Sequence, residues 1–507
     1  MTRVDRGLPT RAIETLVIGA GLGGLACAAR LARRGQHVLV LDQHFLPGGY
    51  CTSFHRQGYT FDACIDTICG VAAGSQFSRV LEACDVLPRV RFRQLDPIRE
   101  NVFGGFSVRV PAAMDAYEAL LARRYPREQR GLHELFADLR ELLQALLMVP
   151  VETVWEGGDF ERVFPSLARW GRRTWRELLE AHVGDEELAS VLSERCSYVG
   201  LPPSRVSALS MAAMLVSYFE GGTWRVEGGY QRLADAFVDA IRAAGSRVIL
   251  GTRVEQLLVE RGRVAGVALA DGREVRARRV VSSVDAKATL LTMLGRQHLP
   301  ADVADAVAAR RPSLSFVVVH LGLRRDLSAL PFASSIGFFP GGSVERSFSF
   351  ARPVAEDPDL ALGIIVPTNE DRTLAPAGRS ILSIHYLCAN ERCDDWSARK
   401  EEFARDLVRR AEALVPRLAE DAEITSVATP YTMWRYTLNE SGAAYGFEQT
   451  PDRFAVLKTL RRRLPPGLHL CGHWTDWGGG VAAAACSGFE EARRILIAQK
   501  RAHRATV

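Results

Sequence analysis

The sequence predicts an α/β protein in which a domain of parallel strands and helices is interleaved with an α+β domain. One observation is a stretch from Leu16 to Asp42 that reads as strand, glycine turn, small-residue helix and second strand. A second is that glycine-rich turns and short strands return after residue 216 and again near the end of the chain. We therefore expect one domain to be built from 1–75, 216–290 and 456–507, and the other from 76–215 and 291–455. A chain of 507 residues is long enough for two domains.

The stretch that begins at Leu16 is typical of a dinucleotide-binding turn. Gly19 permits the tight turn, Gly21 lets the backbone approach a pyrophosphate, and Gly24 lets the helix lie close to the strand. Asp42 ends the second strand, where its carboxylate can accept hydrogen bonds from a ribose. The stretch predicts a Rossmann-type domain.

Further elements follow from periodicity and turn residues. Gly48 and Gly49 form a second glycine turn that could reach the same pyrophosphate. The apolar stretch Ser204–Phe219 is predicted to be a helix, either in an ordinary core or in the wall of an apolar tunnel. Other predicted helices are 25–34, 115–124, 134–147, 175–182, 232–243, 396–415 and 482–498, and predicted strands include 37–41, 247–250, 253–260, 264–270, 275–282, 313–323 and 380–387.

Composition excludes several classes of function. A net charge of +5 without a basic run gives no reason to expect a nucleic-acid partner. Ten scattered cysteines without a C-x-x-C pair favour reduced thiols and no metal site. Residues 1–11 are polar and no window is long and apolar enough to span a bilayer. We expect a cytoplasmic protein that contacts the inner face of a membrane peripherally.

Only one G-x-G-x-x-G fingerprint is present. Flavoenzymes that draw electrons from a nicotinamide usually have two such folds, and neither Gly221-Gly222 nor Gly228-Gly229 has the required spacing. One fingerprint and a distant glycine run, Gly478–Gly480, therefore favour tightly held FAD.

These motifs resemble the phytoene desaturase superfamily of flavoproteins. The likeness is strongest to its carotene isomerase and retinol saturase branch and more distant to amine oxidases. The matching segments are 17–25, 38–42, 47–49, 58–62, 442–446, 471–472, 478–480 and 487–488.

The resemblance implies a set of FAD-binding residues. This sequence differs from the family pattern at two positions. His473 follows Gly472 where many relatives have an acidic residue, so Asp476 would have to take over that role, and Tyr50 stands where many relatives have an arginine. The implied FAD-binding residues are Gly19, Gly21, Gly23, Gly24, Asp42, Gly48, Gly49, Val254, Gly472, Asp476, Gly479, Gly480 and Val481.

The resemblance further implies a carotenoid desaturase or isomerase that acts on a hydrophobic polyene. Desaturation would pass a hydride to the flavin, whereas isomerisation would use reduced flavin without net redox change. The electron acceptor, oxygen or a quinone, is open. One alternative is a flavin oxidase or dehydrogenase for a smaller amine or biosynthetic intermediate, and another is a non-enzymatic flavin-binding scaffold for pigment synthesis.

Candidate reacting and lining residues come from the stretches between these motifs. Asp66, Glu227 and His473 are the candidate catalytic side chains, and Glu220, Arg225, His320 and His385 are further polar candidates. For each of these, a role in the core or at a helix cap is the alternative. Aromatic residues predicted to line the substrate channel, with core packing as the alternative, are Phe338, Phe339, Trp434, Tyr436 and Tyr445.

Overall fold

The computed structural model describes residues 7–8, 11–148, 162–350, 352–389, 396–453 and 460–506. Most of the polar N-terminal stretch and the predicted domain boundary between residues 455 and 456 lie outside these ranges. None of the helices within them is both long and apolar enough to cross a bilayer.

Nineteen strands form four sheets in the described part of the chain. They are β1 Ile13–Ile18, β2 Val38–Leu41, β3 Ser53–Arg56, β4 Tyr59–Asp62, β5 Ile68–Cys69, β6 Phe92–Gln94, β7 Arg99–Phe103, β8 Phe106–Val110, β9 Thr223–Val226, β10 Arg247–Ile249, β11 Val254–Glu260, β12 Arg263–Leu269, β13 Glu274–Ser282, β14 Ser315–Leu323, β15 Ser335–Phe339, β16 Leu362–Ile365, β17 Ser380–Cys388, β18 Ala422–Ala428 and β19 Leu468–Leu470.

The α-helices of the described ranges lie between these strands. They are α1 Leu22–Ala32, α2 Gln76–Ala83, α3 Met114–Arg124, α4 Gln129–Met148, α5 Pro165–Trp170, α6 Trp175–Glu180, α7 Glu186–Leu192, α8 Ala208–Glu220, α9 Gln231–Ala243, α10 Ala301–Ala308, α11 Trp396–Ala411, α12 Leu418–Asp421, α13 Pro430–Thr437 and α14 Val481–Thr506.

The first sheet runs β10-β2-β1-β13-β12-β11, with β19 added on β13. Strands β10, β2, β1, β13 and β19 are parallel, whereas β11 and β12 join antiparallel. Segments from the beginning, middle and end of the chain meet in this sheet. The predicted parallel sheet with helical connections is confirmed.

Side chains of the central strand β1 point alternately to the two faces of this sheet, and each face is covered by an apolar core. Val17 of β1 packs with α1, α9 and α14, whereas Leu16 and Ile18 pack on the opposite face with residues of β11 to β13. Successive side chains of a strand point to opposite faces, so a strand buried on both sides is apolar throughout.

The second large sheet runs β18-β14-β17-β16-β15-β7-β8. One of its faces packs against α11, with Val317 and Val319 in contact with the buried side of that helix. Residues of its other face, among them Phe316, His320 and His385, line a large cavity. Helices α3 to α8 form a separate apolar core beside it, to which Phe339 also belongs.

The predicted domain limits remain a prediction. Phe77, Val80 and Leu81 of α2 lie in the same core as α1. Their packing favours a first segment that continues past residue 75.

Candidate active site

A cavity of about 2640 Å³ lies between the first sheet, the second sheet and helices α4, α5 and α8. Pockets for one drug-sized ligand usually measure about 300–1,000 Å³. The cavity is therefore large enough for a dinucleotide and a second molecule together.

The glycine turn after β1 forms one end of this cavity. Gly19 has a left-handed φ of +95°, and a Cβ there would lie 2.6 Å from Ser283 Oγ. Gly21, in contrast, has an ordinary φ of −70°, and a Cβ on it would have no protein atom within 4 Å. The free space at Gly21 belongs to the cavity, which this residue lines.

Helix α1 begins at Leu22 with Gly21 as its N-cap, and this cap has no side chain to accept the first N–H groups. Unpaired N–H groups and the helix dipole make such an end a site for anions. Gly21 also bridges to Gly48 of the second glycine turn, and Gly48 N donates to Ala20 O at 2.7 Å. The two turns thus form one backbone-lined cradle suited to a pyrophosphate.

Asp42 lies beside the cradle at the end of β2. Its carboxylate accepts hydrogen bonds from the N–H groups of Ala20 (2.6 Å) and His44 (2.7 Å). Burial raises the pKa of Asp42 above its usual value, although these two hydrogen bonds oppose the shift. Asp42 and Val254 both line the cavity, where they could contact the nucleoside part of a dinucleotide.

A second helix N-terminus opens onto the cavity at the far end of the chain. Gly480, with φ of +103° and no atom near its missing Cβ, precedes helix α14. A Cβ on Gly479 would lie 2.8 Å from the Tyr445 side chain, so only glycine lets Tyr445 pack there. Gly479, Gly480 and Val481 all line the cavity.

Helices α1 and α14 are held together through glycines. A Cβ on Gly488 would overlap the carbonyl oxygen of Gly23, and a Cβ on Gly23 would lie 2.7 Å from Gly472 Cα. This close approach brings both helix N-termini to the same cavity. The residues present therefore fit a bound dinucleotide: the N-terminus of α1 would face its pyrophosphate, and the N-terminus of α14 would face the opposite end of the same molecule.

His473 and Asp476 lie in the loop between β19 and α14. Burial lowers the pKa of His473 to about 4, and its Nε2 is 3.4 Å from Asn439 Nδ2. Asp476 is in an ion pair with Arg461, and its backbone carbonyl accepts a hydrogen bond from Arg453 at 2.5 Å. Both residues line the cavity. One carboxylate oxygen of Asp476 is thus already engaged.

Asp66 lies in a buried cluster of charges between the two sheets. Its Oδ2 accepts hydrogen bonds from Arg99 Nη1 (3.2 Å), Ser335 Oγ (2.6 Å) and the Tyr198 hydroxyl. Arg225 Nη2 is 3.5 Å from its Oδ1. Burial alone would raise the pKa of Asp66, but Arg99 and Arg225 outweigh it and hold the pKa below its usual value.

Glu194 and Arg195 complete this cluster. Glu194 is 3.1 Å from Arg99 Nε and 3.2 Å from Arg195 Nε, and all the charged side chains of the cluster are at least nine-tenths buried. Asp66, Arg99 and Tyr198 line the cavity, whereas Glu194, Arg195 and Arg225 lie behind it.

The third candidate catalytic residue is not brought to the cavity. Glu227 lies after β9, where its carboxylate pairs with Arg93 at 3.2 Å and remains one-third exposed. The glycine-rich turn that follows it continues into α9 rather than into the site. Glu227 is therefore corrected from a catalytic candidate to a surface ion pair.

The aromatic candidates divide between cavity, core and surface. Tyr445 lines the cavity, and its hydroxyl donates to Ser197 O at 2.9 Å. Phe339 also lines it, but Phe338 points to the opposite face of β15 and packs in the core beneath α11. Trp434 is a surface residue outside the cavity lining, and Tyr436 lies at the mouth, 45% exposed.

Two lining residues beside Asp66, Arg99 and Tyr198, were not predicted, and neither was Ser335, which hydrogen-bonds Asp66 but is not among the lining residues. His320 of β14 and His385 of β17, which were predicted only as polar candidates, face the cavity. Arg99 begins strand β7, which reads Arg-Glu-Asn-Val-Phe and is mostly buried, its three polar residues included. Three consecutive polar residues at the start of a strand were the signal in the sequence that could have indicated a polar site there.

An apolar arm extends the cavity away from the cradle. Helices α4, α5 and α8 supply one wall, and the second sheet with its loops supplies the other. Residues of this arm include Leu143, Leu146, Leu167, Met214, Phe348 and Leu362.

Comparison with known proteins agrees with this arrangement. The family model for flavin containing amine oxidoreductases matches residues 22–496. The chain is 25% identical over 498 residues to prolycopene isomerase, chloroplastic, of Arabidopsis thaliana, covering 95% of this chain and 82% of the relative. It is 29% identical over 455 residues to phytoene desaturase (neurosporene-forming) of Cereibacter sphaeroides, covering 86% and 85%.

Among solved structures, cyclohexylamine oxidase from Brevibacterium oxydans superimposes with a TM-score of 0.65 at 18% identity, covering 97% of this chain and 100% of that one. The resemblance to the phytoene desaturase superfamily is thus confirmed, and so is the expected cofactor. The chain belongs to the flavin containing amine oxidoreductase family and is an FAD-dependent oxidoreductase.

Proposed function

We propose that this protein desaturates or isomerises a carbon–carbon chain of a hydrophobic, polyene-like substrate. The observation that supports this most is the apolar arm that continues from the flavin cradle between α4, α5, α8 and the second sheet. A long apolar molecule could lie along the arm with one segment beside the flavin. The names of the two curated relatives, a prolycopene isomerase and a phytoene desaturase, agree with such a substrate.

When bound, FAD supplies a two-electron acceptor or donor for hydride. The protein would hold it through Gly19 and Gly21 at the pyrophosphate and through Gly479 and Gly480 at the ring. Gly24 is not part of the lining and instead allows α1 to lie close to β1. Tyr445, packed against Gly479, would set the position of the substrate chain beside that ring. The apolar walls exclude water, and most of the catalytic contribution is then orientation of the chain.

Asp66 and Tyr198 are the proposed polar partners of the reaction. They face the same cavity, and Arg99 fixes both by hydrogen bonds. The Tyr198 hydroxyl donates to Asp66 and accepts from Arg99, so a proton could pass along this pair without entry of bulk water.

Anaerobic mixing of the FAD-loaded protein with a polyene tests the proposal. We expect bleaching of the oxidised flavin, or conversion of polyene isomers when the flavin is reduced beforehand. Amines serve as the comparison. Flavin reduction by amines together with no change in any polyene would contradict the proposal and favour oxidation of a smaller amine, for which the fold of cyclohexylamine oxidase gives a precedent.

We further propose that the substrate enters from a membrane surface through an aromatic patch at the cavity mouth. The patch consists of Phe45 and Tyr436 at the mouth, which are 68% and 45% exposed, and of Tyr431 and Trp434 on the same helix as Tyr436, which are 40% and 39% exposed. His44 joins them, since its ring stacks on Phe45 at 4.3 Å and meets Tyr436 at 5.0 Å. Tyrosine and tryptophan favour the membrane–water interface.

The predicted helix Ser204–Phe219 does not supply this surface. Its counterpart α8 packs in the helical core and forms part of the cavity wall, so the apolar face is already covered. A membrane contact would therefore depend on the mouth patch.

Flotation with phosphatidylcholine vesicles tests the patch. We expect the protein to float, and a double variant Phe45→Ser/Trp434→Ser to remain at the bottom of the gradient. Val163→Ser is a matched control, because Val163 is 49% exposed and is not part of the patch. Equal flotation of all three proteins would refute the patch without affecting the proposed reaction.

A further inference from the structure

A row of residues across the second sheet contains two glycines between two polar side chains. Registers of the paired strands place His385 of β17 beside Gly363 of β16, Gly363 beside Gly337 of β15, and Gly337 beside Asn101 of β7. A Cβ on Gly337 would lie 2.8 Å from Arg99 Nη2, so the guanidinium of Arg99 covers that glycine.

Gly363 is not covered in this way. A Cβ there would meet only His385, at 3.4 Å from its Cβ, and Gly363 lines the cavity. Neighbouring strands are about 4.8 Å apart, so the His385 and Gly337 backbones are roughly 10 Å apart across this gap. We call the gap the polar notch: Gly363 is its floor, and His385 and Arg99 are its walls.

One polar side chain at the notch has no hydrogen-bond partner in the described part of the chain. It is the His385 imidazole, which faces the cavity with Phe316 at its edge. The neighbouring Asp66, in contrast, is engaged at both oxygens, because Oδ2 accepts hydrogen bonds from the cluster and Oδ1 is 3.5 Å from Arg225 Nη2. Burial lowers the pKa of His385 to about 4, so the ring is neutral near pH 7 and can both donate and accept.

A hydrocarbon that filled the cavity would bury the His385 imidazole without a hydrogen-bond partner. Buried polar groups are nearly always hydrogen-bonded, and leaving one unpaired is costly. We propose that the substrate carries an oxygen function, a hydroxyl, carbonyl or carboxylate, that binds in the polar notch against His385. This inference rests on the proposed function for the remainder of the substrate, which would be the apolar chain.

Charge favours oxygen over an ammonium group at this position. Within the buried cluster, the ion pairs join Arg99, Arg195 and Arg225 to Asp66 and Glu194. Two further carboxylates, Asp62 and Glu370, interact with Arg225, which lies behind the cavity lining. At the notch itself the charged wall is Arg99, which attracts an oxygen acceptor and repels a cation.

The notch would also decide which bond of the chain reacts. Tyr445 spans the distance from Gly479, at the flavin cradle, to the carbonyl of Ser197, and the next residue, Tyr198, belongs to the buried cluster. An oxygen fixed in the notch therefore sets the register of the chain relative to the cradle. His385 is in this sense a positioning residue that determines specificity.

Two probes of equal chain length test the inference: lycopene and its monohydroxy derivative, in the same detergent. For the FAD-loaded wild type, His385→Phe and His385→Gln, we would measure kcat/KM and, by quenching of flavin fluorescence, the Kd for each probe. His298→Phe makes the same exchange at an exposed position away from the cavity and serves as the control.

We expect the wild type and His298→Phe to prefer the hydroxylated probe by at least about tenfold. The preference should fall to near one in His385→Phe and be largely restored in His385→Gln, because glutamine keeps a donor and an acceptor. Absence of a preference in the wild type, or a preference that survives in His385→Phe, would overturn the inference.

The outcomes separate this inference from the proposed function. Conversion of both probes at equal rates overturns the notch and leaves the proposed function standing. Binding that prefers the hydroxyl and depends on His385, without conversion of either probe, supports the notch and refutes the proposed function. If neither probe binds, both are refuted.

Discussion

Replacing Gly21 by alanine tests whether the space at the glycine turn belongs to the cofactor. Gly21 adopts φ −70° and ψ 167°, which alanine can adopt, and no protein atom lies within 4 Å of its missing Cβ. The apoprotein should therefore accept the methyl group. An alanine N-cap costs about 0.5 kcal/mol relative to glycine, and the loss of unfolded-chain freedom returns about 0.4–1 kcal/mol. The stability of the apoprotein should change by less than about 0.5 kcal/mol.

Binding of FAD should respond very differently. A methyl group in the cradle would push the pyrophosphate away from the N–H groups at the start of α1. One hydrogen bond to a charged group contributes about 1.5–3 kcal/mol, and each 1.4 kcal/mol is about a factor of ten in Kd. We expect the Kd for FAD to rise about ten- to hundredfold.

The assay is a titration of apoprotein with FAD, followed by quenching of flavin fluorescence, alongside urea unfolding of the apoprotein. Gly105→Ala is the matched control, since Gly105 also has room for a Cβ but lies in the β7–β8 turn, outside the cavity lining. Equal FAD affinity in both variants would refute the assignment of this space. Unfolding of apo Gly21→Ala would refute the reasoning about the backbone.

Three further outcomes follow from the packing and the buried charges. Gly488→Ala should destabilise the protein by about 2 kcal/mol, because overlap with Gly23 O costs about 3 kcal/mol and helix propensity returns about 1; urea unfolding that shows no loss would contradict the close contact. Asp66→Asn should cost about 3–5 kcal/mol at pH 7, since it removes the carboxylate paired with Arg225 and leaves Arg99 with Glu194 alone. The pKa of Asp66 is below its usual value, so wild type keeps this stabilisation until acid pH, and the gap between the two proteins should narrow only below about pH 4. Burial lowers the pKa of His320 to about 3 in the folded protein, from about 6.5 in the unfolded chain. As the pH falls below 6.5, the unfolded chain takes up a proton at His320 while the folded protein does not, which favours unfolding. Wild type should therefore lose about 2 kcal/mol of stability from this group between pH 6.5 and 4.5, and His320→Gln should have a flatter profile of urea midpoint against pH.

The cofactor half of the site could be predicted from the sequence because its signals are local. Strand β1, the turn Gly19–Gly24 and helix α1 are consecutive, and each glycine has a backbone reason that is visible in the spacing. The predicted helices 115–124 and 232–243 are confirmed within one residue at each end, for the same reason. Interaction with the next residues along the chain decided these elements.

The substrate half could not be predicted in this way. Its walls come from strands β7, β15, β16 and β17, which are distant in sequence and meet only through sheet pairing. Phe338 and Phe339 look equivalent in the sequence, yet the alternation of β15 sends one into the core and one to the cavity. Tertiary packing decides which face of the second sheet α11 covers, and no local pattern in the sequence indicates that choice.

The division of the site between backbone and side chains explains how relatives with different reactions share this fold. FAD would be held mainly by glycines, by two helix N-termini and by the close contact of Gly23 with Gly488. Such contacts depend on backbone geometry and leave the wall of the second sheet free to vary. Since a fold alone does not determine chemistry, the bond that reacts must be chosen by groups on that wall. In this chain those groups are His385 and Arg99, which flank Gly363, and this glycine leaves room between them.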